Sequence, residues 1–303
     1  MGELRIACIG EAMLELIVDA VPGAAQVGVA GDVLNTAIYL RRLLPSSASV
    51  CFVSNLGTDN LSEGMIRFIA DQNLDTSLIG RLEDRLPGLY SISTDKAGER
   101  TFEYWRKNSA ATRLFQTGPG VPFDMLEGFD VVYLSAITLA ILQPEIRHGL
   151  LGWLDGFRAR GGKLAFDSNY RPQLWQSRDV AREVIEAAWL ICDIALPSAD
   201  DEFALFGDIS DAGVLERFSA YSQCGGALKR GRLGPASINI PVEPMTFEPA
   251  PAVVDTTAAG DGFNAGYLAA RLTGKSQSDA LASGHRLASK IIGHRGAIMP
   301  AGA

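Results

Sequence analysis

The sequence predicts an α/β protein built on a mostly parallel central sheet. Short apolar runs alternate with amphipathic helical patterns for almost the whole chain, which is the order expected of strands wrapped by helices. Of the 303 residues, 47% are apolar and 20% are charged, a composition typical of a folded globular protein. No internal repeat or linker divides the chain, so we expect a single domain spanning residues 1–303.

The apolar runs predict the strands of the main sheet in chain order. These strands are 5–9, 50–54, 131–134, 163–167, 191–196 and 227–229. Between them, apolar residues at three- and four-residue spacing predict helices that cover the sheet. These helices are 32–44, 61–69, 145–160 and 180–188. The Pro-containing stretch 235–251 is expected to form short strands and turns.

Two stretches depart from this alternation and predict antiparallel strands. Residues 14–18 follow the first strand with no room for a helix, and residues 88–94 and 100–106 flank a turn at 95–98. We expect these strands, within about 11–30 and 86–107, to form a small separate sheet. Such a sheet would be a lid over the carboxyl edge of the main sheet, where ligands of open α/β folds bind.

Charge and hydropathy exclude two classes of partner. The chain has 27 Lys and Arg residues against 35 Asp and Glu, a net charge of −8, which disfavours nucleic acid. The longest nearly apolar run, 131–142, falls short of the roughly 20 residues that a membrane helix needs. The four cysteines lie far apart without a C-x-x-C pair, which indicates reduced core thiols in a cytoplasmic protein.

The segment 253–267 carries the most chemical information. Small residues lead into a helix, and at a helix start they let backbone N–H groups approach an anion closely. Asp261 would repel a bound phosphate unless it is there to take a proton. This combination suits phosphoryl transfer from a nucleotide to an alcohol. The alternative is that Asp261 caps the helix and the small residues allow close packing.

The residues 255–261, D-T-T-A-A-G-D, resemble the D-T-x-G-A-G-D signature of ribokinase-like (PfkB-type) sugar kinases. Blocks at 10–16, 31–36, 55–59, 85–90, 98–102 and 104–106 are similar to the branch that acts on 2-keto-3-deoxygluconate. The resemblance implies a ribokinase-like three-layer sandwich and ATP-dependent phosphorylation of the terminal hydroxyl of 2-dehydro-3-deoxy-D-gluconate. It also implies that Asp261 is the catalytic base and that the amides of Ala258, Ala259 and Gly260 form an anion hole. Ala258 replaces the commoner Gly.

A sugar acid carries a carboxylate, which the forked guanidinium of Arg binds well. Arg106 and Arg171 stand in Tyr-Trp-Arg and Asp-x-Asn-x-Arg patterns similar to that branch, although either could be a solvated surface charge. Asp32 has helix capping as its alternative, and one of the two candidate tyrosines could instead serve lid packing. The candidate substrate-binding residues are Gly31, Asp32, Asn35, Tyr90, Tyr104, Arg106, Asn169, Arg171 and Asp261.

For the nucleotide, the segment 229–234 resembles the family's K-x-G-x-x-G turn near the ATP phosphates. The candidate nucleotide-binding residues are Ser198, Lys229, Gly231, Gly234 and Gly260. Ser198 and Asp201 stand where the family's N-x-x-E magnesium motif has Asn and Glu, so no direct metal ligand is named. Mg²⁺ is expected to bind through water and ATP oxygens. The family also implies a monovalent cation such as K⁺ at backbone oxygens around Asp255 and Thr257.

Other functions remain as rival hypotheses at this point. A fructokinase or ribokinase would keep the chemistry and take a neutral sugar, and a non-catalytic sugar-binding protein would keep only the fold. A dinucleotide oxidoreductase is disfavoured because Gly10-Glu11-Ala12-Met13, and not Gly-x-Gly-x-x-Gly, follows the first strand. A homo-oligomer formed through the lid is expected, because lid strands have open edges that association covers.

Overall fold

The computed structural model describes residues 3–18, 24–94, 100–116, 122–221 and 223–300, which form two β-sheets and the helices around them. The strands are β1 (Arg5–Ile9), β2 (Met13–Val18), β3 (Ala25–Ala30), β4 (Ser49–Gly57), β5 (Ile79–Leu82), β6 (Gly88–Thr94), β7 (Arg100–Trp105), β8 (Val131–Ser135), β9 (Lys163–Asp167), β10 (Ile194–Ala195), β11 (Gly225–Leu228) and β12 (Ala236–Ile238). The helices are α1 (Asp32–Leu43), α2 (Asn60–Asp71), α3 (Ala136–Ile141), α4 (Pro144–Ala159), α5 (Arg178–Leu190), α6 (Ala199–Phe206), α7 (Asp211–Ser219), α8 (Ala259–Leu272) and α9 (Gln277–Ile291). The turn predicted at 95–98 lies outside the described residues.

The larger sheet has the strand order β12-β11-β10-β9-β8-β1-β4-β5. All neighbouring strands from β11 to β5 are parallel, and only the edge pair β11 and β12 is antiparallel. The predicted α/β class with a mostly parallel sheet is therefore confirmed. Because the strands are parallel, their carboxyl ends meet at one edge, where the loops that follow them can build a site.

The larger sheet is buried on both faces. In β1, Ile6 and Cys8 face one apolar cluster, whereas Ala7 and Ile9 face another. Helices α1, α2, α8 and α9 contribute to the first cluster, and helices α3 to α7 contribute to the second. Burial on both faces explains why the strands read as continuous apolar runs, and it produces the three-layer sandwich that the resemblance implied.

The smaller sheet has the order β3-β2-β6-β7. Strand β2 is antiparallel to β3 but parallel to β6, so the expectation of an antiparallel strand at 14–18 is right for one neighbour and wrong for the other. The parallel pair arises because the chain leaves for the larger sheet between β3 and β6, and a parallel pair needs such a long crossover. The chain passes between the two sheets at 10–12, 31, 83–87 and 106–109.

Some predicted elements differ in extent. The strand predicted at 191–196 is reduced to β10, because α5 runs to Leu190 and the Cys192 amide donates to the Trp189 carbonyl at 3.3 Å. The stretch 235–251 contains one strand, β12, and is otherwise irregular.

The four cysteines are free and buried, which agrees with the expectation of reduced thiols in the core. They are Cys8, Cys51, Cys192 and Cys224. Among the helices of the described residues, none has both the length and the apolar character required to cross a bilayer.

Candidate active site

A cavity of about 1880 Å³ lies where the smaller sheet meets the carboxyl edge of the larger one. Sites for one small molecule usually measure roughly 300–1,000 Å³, so this cavity has room for two substrates. The predicted site residues that line it are Gly31, Asp32, Asn35, Tyr90, Tyr104, Arg106, Asn169, Arg171, Ser198, Lys229, Gly231, Ala258, Ala259, Gly260 and Asp261. Gly234 is not among the lining residues.

Asp261 lies in the first turn of α8 and faces the cavity. Its Oδ2 accepts a hydrogen bond from Asn35 Nδ2 at 2.8 Å. The helix begins after Ala258 without a side-chain cap, so the alternative in which Asp261 caps α8 is wrong. Desolvation by the surrounding protein, and next the nearby Asp32 carboxylate, raise the pKa of Asp261 to about 8. A carboxyl group with this pKa exchanges a proton readily near neutral pH.

The start of α8 presents backbone amides to the cavity. Ala258 has φ 61° and ψ 14°, the left-handed conformation, which turns the chain into the helix. The Ala259 amide donates to the Thr256 carbonyl at 3.2 Å, so this member of the expected anion hole is engaged within the turn. The amides of Ala258 and Gly260 have no hydrogen-bond acceptor among the described residues. These two amides and the helix dipole favour an anion here.

Lys229 brings a positive charge to the same place. A Cβ built on Gly260 would lie 3.8 Å from Lys229 Nζ, so the ammonium group borders the free amides. Lys229 Nζ donates to Asp167 Oδ1 at 2.7 Å and to Asn264 Oδ1 at 3.1 Å. Asn264 Nδ2 in turn donates to Asp167 Oδ2 at 2.7 Å. This closed network fixes the lysine beside the helix start.

Asp167 and Asn264 are site residues that the sequence reasoning missed. Asp167 ends β9, in the same block as the predicted Asn169 and Arg171. Asn264 lies three positions after Asp261 in α8, a spacing that puts both side chains on one helix face. The sequence shows that Asp167 ends a strand and that Asn264 shares a helix face with Asp261. It does not show that Asp167 and Asn264 are hydrogen-bonded to each other.

Asp32 begins α1 and points into the cavity. Its Oδ2 accepts from Ser135 Oγ at 2.5 Å and from Asn169 Nδ2 at 2.8 Å. The cap position of α1 is Gly31, and Asp32 makes no capping bond, so the capping alternative is wrong for Asp32 too. Two donors hold its carboxylate and leave it facing the cavity near Asp261.

The two candidate arginines differ in environment. Arg106 is buried and forms an ion pair with Glu11, and its Nε has no partner among the described residues. Arg171 is about half exposed, and its Nη1 lies 3.7 Å from Asp201 Oδ1. Neither is a fully solvated surface charge, because each lines the cavity and has an acidic neighbour.

The two candidate tyrosines also differ. Tyr90 is buried in the smaller sheet, and its hydroxyl donates to Glu15 Oε2 at 2.5 Å. The ring of Tyr104 lies 5.8 Å from that of Tyr90, and Tyr104 is about half exposed and lines the cavity. The structure therefore places Tyr90 mainly in packing, whereas the Tyr104 hydroxyl makes no hydrogen bond to a described residue.

The glycines of the 229–234 turn have separate roles. Gly231 has φ 55° and opens onto the cavity, with no atom within 4 Å of an added Cβ. A Cβ at Gly234 would lie 2.5 Å from the ring of Phe247, so packing and a φ of 74° require this glycine. Gly234 therefore shapes the turn from behind, and its assignment to the nucleotide site stays a prediction.

Ser198 and Asp201, which stand at the positions of the family's magnesium motif, both hydrogen-bond to Ser168. Ser198 precedes α6, and its amide donates to Ser168 Oγ at 3.0 Å. Asp201 Oδ2 accepts from Ser168 Oγ at 3.0 Å, and burial together with nearby Asp167 raises the pKa of Asp201. Within the described part of the chain, no three His, Cys, Asp or Glu side chains converge on a metal position. A divalent ion here would rely on water and phosphate oxygens.

Asp255 organises the turn that leads into α8. Its Oδ1 accepts from the Thr257 amide at 2.9 Å, and its Oδ2 accepts from the Gly296 amide at 2.8 Å. The carboxylate therefore ties the turn before Asp261 to the segment that follows α9.

A doubly covered parallel sheet, with an ionisable carboxyl group at a helix start inside a cavity large enough for two substrates, is the arrangement expected of an α/β phosphotransferase. The chain belongs to the pfkB family carbohydrate kinases, whose family model matches residues 3–302. It is 43% identical over 306 residues to the 2-dehydro-3-deoxygluconokinase of Escherichia coli (strain K12), covering 98% of this chain and 97% of that protein.

Two further comparisons agree. The 2-dehydro-3-deoxygluconokinase of Dickeya dadantii (strain 3937) is 43% identical over 311 residues, with 99% of this chain and 98% of that protein covered. The crystal structure of the PfkB protein from Polaromonas sp. JS666 superposes with a TM-score of 0.80 at 24% identity, covering 95% of each chain. The family and the ribokinase-like fold expected from the sequence are confirmed.

Proposed function

We propose that this protein uses ATP to phosphorylate the terminal hydroxyl of 2-dehydro-3-deoxy-D-gluconate, giving the 6-phosphate. The observation that carries the proposal is the position of Asp261, a carboxyl group in the cavity next to free backbone amides and Lys229. Whole-length relatives that are named 2-dehydro-3-deoxygluconokinases support the choice of sugar acid.

In the proposed reaction Asp261 accepts the proton of the attacking hydroxyl. Its raised pKa makes it a stronger base than an ordinary aspartate, and Asn35 holds the carboxylate towards the cavity. The free amides of Ala258 and Gly260 and the Lys229 ammonium stabilise charge that develops on the transferred phosphoryl oxygens.

The proposed sugar-acid side of the cavity carries two arginines and several polar groups. Arg106 and Arg171 bind the carboxylate, because a planar guanidinium offers paired donors to it. The hydroxyl groups meet a polar surface that is already oriented by internal hydrogen bonds. We assign to this surface Gly31, Asp32, Asn35, Asn169 and Tyr104, with Tyr90 supporting it from behind.

The proposed nucleotide side contains Ser198, Lys229, Gly231 and Gly260. When bound, Mg²⁺ would offset the charge of the phosphates, and the residues present suit an ion held through water. Asp167 and Asp201 line the cavity, and their carboxylates could receive such water-mediated contacts. K⁺, or another monovalent cation, would lie at backbone oxygens around Asp255 and Thr257, in the turn that the Asp255 side chain folds.

We further propose a single domain in which the smaller sheet is a lid that excludes water from the transferred group. The outer face of this sheet exposes apolar side chains: Val18 is 46% exposed, Val27 65% and Trp105 59%. The strand register puts these three residues on one face. We infer that a second copy of the chain covers it. The free, buried cysteines support a cytoplasmic location.

The test is an ADP-release assay with the sugar acid and with fructose and ribose as neutral alternatives. We expect turnover of the sugar acid, and a clear rise in its KM for Arg106→Ala and Arg171→Ala. A preference for fructose or ribose, with KM values that neither arginine affects, would instead support a kinase for neutral sugars. Binding of sugar without any ADP release would support a non-catalytic protein.

A further inference from the structure

Glu11, in the connection between β1 and β2, is a buried charge that the proposed reaction does not use. Its side chain is 1% exposed, and it does not belong to the described cavity wall. One carboxylate oxygen accepts from Arg106 Nη2 in an ion pair, and the other accepts from Ser109 Oγ at 2.5 Å. A carboxylate is stable in such a place only because both oxygens are paired.

All four passages of the chain between the two sheets converge on Glu11. The residue itself lies in the first passage. In the second, a Cβ on Gly31 would lie 2.2 Å from the Glu11 carbonyl oxygen. Gly88 directly follows the third passage, and a Cβ on it would lie 2.5 Å from Glu11 Oε1. The fourth passage contains Arg106 and Ser109, which both donate to the Glu11 carboxylate. Glycine is required at both close approaches, since any side chain would displace Glu11.

Arg106 is held by this carboxylate at the wall of the cavity. Its side chain is 9% exposed, and the ion pair with Glu11 is the interaction that engages it. A guanidinium has five N–H donors, and the buried Nε has no acceptor among the described residues. Nη1 also makes no hydrogen bond to a described residue, but unlike Nε it is not buried, so Nη1 is the donor that is open to the cavity.

We propose that Glu11 is a positioning residue for substrate affinity: it fixes the guanidinium of Arg106 so that Nη1 meets the carboxylate of the sugar acid. This inference rests on the proposed function. Arg106 then bridges two carboxylates, one from the protein and one from the substrate. Glu11 acts only through Arg106, so it contributes to binding of the acid and not to the nucleotide or to the proton transfer at Asp261.

The test measures KM for the sugar acid and for ATP in Glu11→Ala, Arg106→Ala and the double variant. Glu11→Ala should raise KM for the acid about tenfold, the loss expected from one charge-assisted hydrogen bond, with KM for ATP and kcat changed less than about twofold. In the Arg106→Ala background, Glu11→Ala should add no further rise. Glu11→Gln, which keeps an oxygen acceptor in place, should raise KM for the acid only about threefold.

Ser109→Ala is the matched control, because it removes the second hydrogen bond of Glu11 and leaves the ion pair with Arg106 intact. It should lower thermal stability without changing KM for the acid. If Glu11→Ala does not fold, Glu11→Gln is compared in the wild-type and Arg106→Ala backgrounds, and its rise in KM should disappear in the second.

Three results would overturn the inference alone, provided that the wild type turns over the sugar acid. These are an unchanged KM in both Glu11 variants, an equal rise in KM for ATP, and an effect that persists without Arg106. A wild type that does not phosphorylate the sugar acid would overturn the proposed function and this inference with it.

Discussion

Replacing Asp261 by Asn should make the protein more stable while it abolishes most of the activity. The pKa of Asp261 is raised from 3.8 to about 8, so the folded protein holds a proton that the unfolded chain releases. From 3.8 to about pH 7 this difference spans roughly three pH units of about 1.4 kcal/mol each, an upper value of about 4 kcal/mol. Solvent screening in the open cavity makes the gain in the free energy of unfolding smaller than this upper value. Asparagine does not titrate, and its Oδ1 can still accept the hydrogen bond from Asn35.

The pH dependence separates this cause from other effects of the substitution. In the wild type, the free energy of unfolding falls as the pH rises between the unfolded and the folded pKa, because the folded state binds the extra proton. The advantage of Asp261→Asn should therefore be absent near pH 4, grow up to about pH 8 and then stay constant. Urea unfolding at about pH 4.5, 6 and 7.5 measures it.

The matched control is Asp155→Asn, at an exposed position in α4, which should leave the unfolding midpoint nearly unchanged at every pH. An advantage of Asp261→Asn that is the same at about pH 4.5 and pH 7.5, or a variant less stable than the wild type at about pH 7.5, would refute the reasoning. ADP release by the same variant should fall by about 10²–10⁴, the usual contribution of a general base.

Three other variants test neighbouring features. Ala258→Gly should relieve a left-handed backbone and raise the free energy of unfolding by about 1 kcal/mol; an unchanged melting temperature would contradict this. Lys229→Met should raise KM for ATP and lower the free energy of unfolding by about 3–5 kcal/mol, because Asp167 loses its cation; retained urea stability would argue against it. Asp32→Asn removes the negative charge next to Asp261, so the pKa of Asp261 should fall and the rising limb of kcat against pH should move to lower pH. An unmoved limb would count against coupling between the two carboxyl groups.

The sequence predicts the strands best where both of their faces are buried. Strands β1 and β9 match the predicted ranges residue for residue, because burial on both sides leaves an uninterrupted apolar run. Helix α9 was not predicted, although Ser276 before it accepts from the Asp279 amide, a capping pattern visible in the sequence. Strand β10 is short because the preceding helix continues into the apolar run, and apolar character alone does not separate a helix end from a strand.

The candidate site was predictable where a residue follows a strand or starts a helix. Such positions meet at one sheet edge, and most of the predicted residues line the same cavity. The pairings were not predictable, because Asn264 contacts Asp167 across 97 positions and Arg106 contacts Glu11 across 95. Gly234 is another example, because the sequence alone does not distinguish a glycine that packing requires from a glycine that a ligand requires.

Burial and the neighbouring Asp32 carboxylate explain the raised pKa of Asp261. Asp167 has the ammonium of Lys229, and Asp32 has two donors. Asp261 receives a hydrogen bond from the neutral amide of Asn35, and its negative neighbour Asp32 works against ionisation. Lys229 already lowers the pKa of Asp261, but less than burial and Asp32 raise it. A further cation beside Asp261 would stabilise the fold at neutral pH and lower the pKa again, and it would thereby weaken the base. At this residue, stability and catalysis oppose each other.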